Sequence, residues 1–182
     1  MRRLALAFVV VITVGCTGDD QAGQPPTTTA PPPAQTITNL PEPVMETRAA
    51  ILQAASARDY EAVGRVMDRK LFLSDYGFGA DSPDPIPRWR KLGDEPLETM
   101  AALLQMPHVV HETNEGTLYQ WPRFTPDSTL AEVSQPERDV FLTFMSDEEL
   151  EGSFRPEYGY LGPRLGILAN GSWWFFILRP SP

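Results

Sequence analysis

Residues 17–42 read TGDDQAGQPPTTTAPPPAQTITNLPE, without an aromatic, a lysine or an arginine. No other stretch limits so firmly what the chain can fold into. Such a composition buries too little apolar surface to offset the entropy of ordering it. Its proline runs favour extended polyproline II, and the rest is expected to be flexible. Fully stretched it reaches about 80 Å, and as a random coil about 28 Å. Any folded body must therefore come from residues 43–182, one domain's worth of chain. That body has no disulfide to lean on, because Cys16 is the only cysteine. Packing alone must hold it.

Ahead of this stretch, Arg2 and Arg3 precede an uncharged, mostly apolar run over residues 4–15, which stops at Cys16. As a helix the run spans about 18 Å, well short of the roughly 30 Å of a bilayer's hydrocarbon core. Acidic Asp19 and Asp20 follow closely. A basic start, a short apolar middle and a small residue at the cut make a secretory signal rather than a span. No later segment offers eighteen consecutive apolar residues. The order Thr13-Val14-Gly15-Cys16-Thr17 resembles a lipobox, the motif read by the lipoprotein-processing machinery of bacteria. The resemblance implies that residues 1–15 are a signal peptide removed at Cys16. It implies that the Cys16 thiol carries palmitate-type acyl chains, and that residues 16–42 are a lipid-anchored disordered linker. The protein would then sit on the extracytoplasmic face of the cell membrane. One acyl chain binds a membrane only marginally, whereas a diacylated cysteine gives durable attachment. The Thr- and Pro-rich spacer is similar to those on lipoproteins of high-GC Gram-positive bacteria, and its threonines offer sites for O-glycosylation.

The formal charge is −9, and it becomes −11 once Arg2 and Arg3 leave with the signal. A chain this acidic is repelled by nucleic-acid phosphates and by anionic lipid heads. That argues against a nucleic-acid partner and against a polybasic membrane-binding face.

Along residues 43–182 the patterning predicts a helix over Pro43 to about Met67, broken at Arg58-Asp59, with Asp59 capping its second part. Val44, Ile51, Leu52 and Ala55 share one face. Leu71 to Leu73 reads as a short strand, and the Gly- and Pro-rich sequence to Gly93 reads as loop. Asp94 is placed to cap a helix with Pro96 in its first turn and Leu97, Met100, Ala101 and Leu104 as its buried stripe. His108 to Thr113 and Thr117 to Trp121 read as paired strands. Ser134 with Glu137, and Ser146 with Glu149, are capping boxes, separated by the helical apolar face of Val140, Phe141, Phe144 and Met145. Arg164 to Leu168 and Trp173 to Leu178 flank Asn170-Gly171, which predicts a hairpin with a type I′ turn. The strand from Trp173 is apolar on both faces, so it is covered on both sides or lines a cavity. Helices and antiparallel strands on one core give an α+β fold.

Three stretches, AASARDYEAVGRVMD, LYQWPRF and YGYLGPRLGILANGSWWFF, are similar to the NTF2-like (SnoaL, cystatin-like) superfamily. That resemblance implies a curved antiparallel sheet wrapped around a long helix, leaving a conical pocket. The last two stretches also resemble recurring patterns in uncharacterised exported bacterial proteins.

Chemistry is harder to find. His108 and His111 are the only histidines. Their order is not HExxH, and an i, i+3 pair on a strand points to opposite faces, which argues against zinc. There is no Gly-x-Ser-x-Gly elbow and no phosphate-cradling loop. Asp75, Asp81 and Asp84 lack the EF-hand spacing and its closing glutamate, which leaves a solvated loop. No metal and no cofactor is expected. In NTF2-like enzymes a pocket carboxylate or histidine moves a proton while an aromatic hydroxyl polarises a carbonyl. The analogous candidates here are Arg164, Tyr119, Trp121, His111, Asp75 and Tyr160. Arg164, at the start of an apolar hairpin, needs a carboxylate or an anionic ligand.

Two functional expectations follow. The first is a membrane-tethered, extracytoplasmic, non-catalytic binding or structural module of the cell envelope, whose partner is a small apolar ligand or an envelope protein. The second is a SnoaL-like isomerase or hydrolase acting on a small apolar substrate. One deep apolar cavity holding His111 or Asp75 with Tyr119 or Arg164 favours the enzyme. A centre filled by Trp173, Phe175 and Phe141 favours the module.

Overall fold

The computed structural model describes residues 40–67, 72–74, 77–78 and 83–178, all within the compact unit Pro33–Pro182. The expected signal, Cys16 and most of the linker lie outside the described residues, as do Asp75 and Asp81. Helix α1 spans Glu42–Ser56 with proline in its first turn, and α2 spans Tyr60–Val66. Between them Arg58 adopts φ +53°, and the Asp59 carboxylate accepts from the backbone N–H groups of Glu61 and Ala62. The predicted break and cap are both present.

The expected loop before Gly93 holds more structure than its composition suggests. Strands β1 (Leu73–Ser74) and β2 (Gly77–Phe78) pair antiparallel. A short helix, α3, spans Ile86–Trp89 and runs into a 3-10 turn over Arg90–Leu92. Prolines 85 and 87 sit where a helix start tolerates them, and the Asp84 carboxylate accepts from the Ile86 N–H. The Tyr60 hydroxyl donates to the Gly93 carbonyl at 2.6 Å, with the Trp89 carbonyl at 3.2 Å, and so ties the segment to α2. Helix α4 covers Glu95–Leu103 and buries Leu97, Met100 and Leu103. Its Asp94 makes no side-chain cap and instead reaches Arg58 at 3.0 Å, contrary to the expected capping role. The Arg48 guanidinium donates twice to the Leu104 carbonyl, neutralising the negative end of α4.

Strands β3 (Val109–Thr113) and β4 (Gly116–Trp121) form the predicted hairpin. The chain then makes an excursion through α5 (Gln135–Phe141), α6 (Asp147–Gly152) and the two-residue strands β5 (Phe154–Arg155) and β6 (Gly159–Tyr160). Both capping boxes are formed. Strands β7 (Arg164–Leu168) and β8 (Trp173–Ile177) close the sequence of elements. Their turn differs from the type I′ expectation. Among its residues only Gly171 has positive φ, while the Asn170 side chain accepts from the Ser172 N–H and so fixes a longer loop.

The architecture is α+β, with one six-stranded sheet in the order β2-β1-β8-β7-β4-β3. The sheet is mixed, not antiparallel as expected: β1 runs parallel to β8, in register Leu73–Phe175. Helix α1 packs on α2, α4 and β7, covering one face. Between the helices and the sheet lie Ile51, Met100, Leu103, Trp121, Trp173 and Phe176, all fully buried. Phe72 sits edge-on to Trp173 at 5.0 Å, and Trp89 edge-on to Phe176 at 5.3 Å. The opposite face carries a smaller buried cluster of Leu118, Leu168, Phe175 and Ile177. Strand β8 is thus central and covered on both sides, which accounts for its unbroken run of large apolar residues.

Candidate functional site

Strand alternation decides which candidate residues meet. On β4, Tyr119 and Trp121 belong to the helix-covered face, with Leu165 and Ile167 opposite them on β7. His111 pairs with Leu118, and Arg164 pairs with Ile177. Directly opposed residues share a face, so His111 and Arg164 lie on the other side of the sheet from Tyr119 and Trp121. Tyr160 sits elsewhere again, buried among Phe124, Phe141 and Phe154 at centroid distances of 5.0–6.0 Å. The structure therefore does not gather these residues around one cavity. The Arg164 side chain is half-buried and donates to the Gly162 carbonyl at 3.3 Å. The Tyr160 hydroxyl donates to the Pro163 carbonyl at 2.8 Å, and burial pushes its pKa far up.

The residue that does join Tyr119 and Trp121 is His108, just ahead of β3. Its ring lies 5.7 Å from Tyr119 and 5.4 Å from Trp121. Burial, and then the nearby Arg48 charge, holds its pKa below the usual imidazole value. His111 is also lowered by burial, on the opposite face. The i, i+3 expectation of divergent histidines agrees with this placement. Continuing the register beyond Val109–Gln120 carries His108 opposite Trp121, and a histidine just ahead of a strand paired with Tyr119 and Trp121 was the available signal in the sequence. Among the described residues no group of three or more His, Cys, Asp or Glu is placed to hold a metal.

Among the described residues, the space between the helices and the sheet is packed. Trp173 and Phe141 are both fully buried within the main core, although Phe175 belongs to the cluster on the other face. Among the described residues, grooves lie at the periphery. One groove of about 520 Å³ runs along residues 126–130 and 154–159, and the Ser128 hydroxyl inside it already accepts from the Thr125 N–H. A second, of about 390 Å³, lies beside α4 and includes Thr99. Thr99 is only 1% exposed, and its hydroxyl has no hydrogen-bond partner.

One buried ion pair stands out. Arg123 Nε donates to Glu137 Oε1 at 2.7 Å, and Nη2 donates to the Glu132 carbonyl at 2.7 Å. The guanidinium also lies 4.7 Å over the Phe124 ring. Burial alone pushes the Glu137 carboxyl up, but the hydrogen bonds from Arg123 and Ser134 outweigh it and hold the group below the usual carboxylate range. The pair fastens the excursion to the end of β4.

No protein-family model, curated protein or solved structure matches this chain.

Proposed function

We propose that this protein is an exported lipoprotein whose residues 43–182 form an NTF2-like domain. It serves as a non-catalytic binding or structural module of the cell envelope, held off the membrane by the residues 16–42 spacer. Thr13-Val14-Gly15-Cys16 supports the anchor, and no helix among the described residues is long and apolar enough to cross a membrane. The long helix α1 packed on a sheet with an aromatic central strand supports the NTF2-like reading. The observation that carries the non-catalytic part is the separation of candidates. His111 and Arg164 lie across the sheet from Tyr119 and Trp121, and the centre between helices and sheet is filled by Trp89, Trp173 and Phe176. His111 and the Tyr119 hydroxyl, on opposite sides of a packed sheet, cannot address one substrate, and His108, which shares the Tyr119 side, is packed against the Tyr119 and Trp121 rings.

Cell fractionation after feeding an alkyne-labelled palmitate tests the anchor. The expected result is label on the protein in the membrane fraction, and loss of both label and membrane association in Cys16→Ser. Unlabelled wild-type protein in the soluble fraction overturns it.

A further inference from the structure

We propose that the outer edge of β3 pairs antiparallel with the same edge of a second copy of this chain, joining two six-stranded sheets into one. This goes beyond the reading of an envelope module and does not depend on the anchor. Strand β3 ends the sheet, and among the described residues no strand lies beyond it. Its backbone groups divide by alternation. The Thr117 carbonyl accepts from the Ala169 N–H, on the β7 side. Thr117, Tyr119 and Trp121 therefore turn their backbone groups to β7, and Leu118 and Gln120 turn theirs to β3. Opposite these two, His111 and Val109 bond to β4. Val110 and Glu112 are left with N–H and C=O groups that point away from the sheet, where no hydrogen bond meets them. Such a row is a template for another strand. The far edge, β2, is only two residues long. By contrast β3 runs five residues in unbroken register, without proline or lysine.

What the edge presents selects its own copy as the occupant. Outward-pointing residues must meet outward-pointing residues. With a two-fold axis at Val110, that residue meets itself, and Glu112 meets His108 of the second copy, twice over by symmetry. Opposed residues share a face. Val110 and Glu112 lie on the helix-covered face, paired with Tyr119 and Thr117, and the His108 ring packs there against Tyr119 and Trp121. Val110 is 43% exposed and gains an apolar neighbour. Glu112 is exposed and accepts from the Thr117 hydroxyl at 3.1 Å. A carboxylate has lone pairs for a further donor. In the pair it arrives beside the half-buried His108 and in the field of Arg48, whose charge already acts on that ring. A charge on an edge discourages pairing with an arbitrary strand. An identical chain is one that sets a cation opposite it.

An edge this short buries far less than the roughly 1,200 Å² of a stable complex, so a Kd of about 0.1 mM is expected. The test follows amide hydrogen exchange in the full chain carrying Cys16→Ser. It compares about 10 µM with about 1 mM protein in about 0.15 M salt, which screens the net charge. Exchange at Val110 and Glu112 should slow about fourfold at the higher concentration. The His111 amide, already bonded to β4, should change less. Val110→Lys should abolish the slowing at Glu112. Glu112→Lys sets cation against cation and should cut the slowing at Val110 to about twofold or less. No slowing at the higher concentration, slowing that persists in Val110→Lys, or full slowing in Glu112→Lys overturns the proposal. So does slowing that appears only when an unrelated extended peptide is added, which gives the edge to a foreign strand. Self-association through residues 4–15 leaves both amides unchanged and counts as no slowing.

Discussion

The frame of the domain and the excursion between β4 and β7 share one apolar cluster but are secured differently. In the frame, α1, α2 and α4 press on the sheet through side chains that are nearly all apolar. The excursion has its own aromatic group of Phe124, Phe141, Phe154 and Tyr160, and adds polar fastenings: the Arg123–Glu137 pair and capping boxes at Thr129, Ser134 and Ser146. The difference teaches where stability depends on charge. Burial of apolar surface is indifferent to pH, whereas an ion pair and a carboxylate cap need their groups ionised. The excursion is the part whose polar fastenings are lost as carboxylates protonate.

The largest expected effect lies in the frame. Trp173→Ala removes a fully buried indole at the centre of the sheet and should cost about 4 kcal/mol. Chemical denaturation would read this as loss of the whole cooperative transition. A loss under 1 kcal/mol would mean the centre is not packed as described. Next comes Arg123→Ala, which leaves the Glu137 carboxylate, 6% exposed, without its partner. The expected cost is about 3 kcal/mol. Hydrogen exchange should show it concentrated in α5 and α6, with β7 and β8 little changed. Uniform acceleration across the sheet would erase the distinction between the two regions.

The pH dependence follows from the same pair. The folded Glu137 pKa is held low, so its contribution is complete above the ordinary carboxylate value of 4.5. It is lost as pH falls from there through the folded value. His108 and His111, lowered by burial, act at higher pH. Their neutral forms suit the fold, so stability is complete above about pH 6.5 and declines as pH falls below it. Unfolding measured against pH should therefore show two descending limbs. Glu137→Gln should flatten the lower one and His108→Phe should reduce the upper. Smaller still is Tyr160→Phe, which strands the Pro163 carbonyl and should cost about 1 kcal/mol. Smallest is Arg58→Gly. It relieves a left-handed backbone at a non-glycine residue, worth about 1 kcal/mol, and gives up only exposed ion pairs to Asp94 and Glu98. A small rise in melting temperature is expected.

What could be read in the sequence was local. Asp59, Ser134 and Ser146 announce their helix starts because a cap is decided within three residues. The alternation around Tyr119 and Trp121 fixes their shared face for the same reason. The parallel joining of Leu73–Ser74 to Phe175–Phe176 spans about a hundred residues and leaves no trace in either segment. Helix α3 was hidden because two prolines read as loop until the buried Trp89 and the Tyr60 hydroxyl show what holds it. Asn170-Gly171 carries the composition of a type I′ turn, yet the Asn170 side chain bonds to Ser172 and the loop takes another shape. At the candidate site, residue types suggested a pocket, and the register across β3, β4, β7 and β8 divided them between two faces.

The role proposed for the molecule depends on where its first retained residue is and what that residue carries. Intact mass spectrometry of the protein purified from its native cells addresses both directly. The account predicts a mature chain beginning at Cys16, heavier than its sequence by a diacylglyceryl group on the sulfur. A chain that begins at Met1 and keeps an unmodified thiol at position 16 would contradict it.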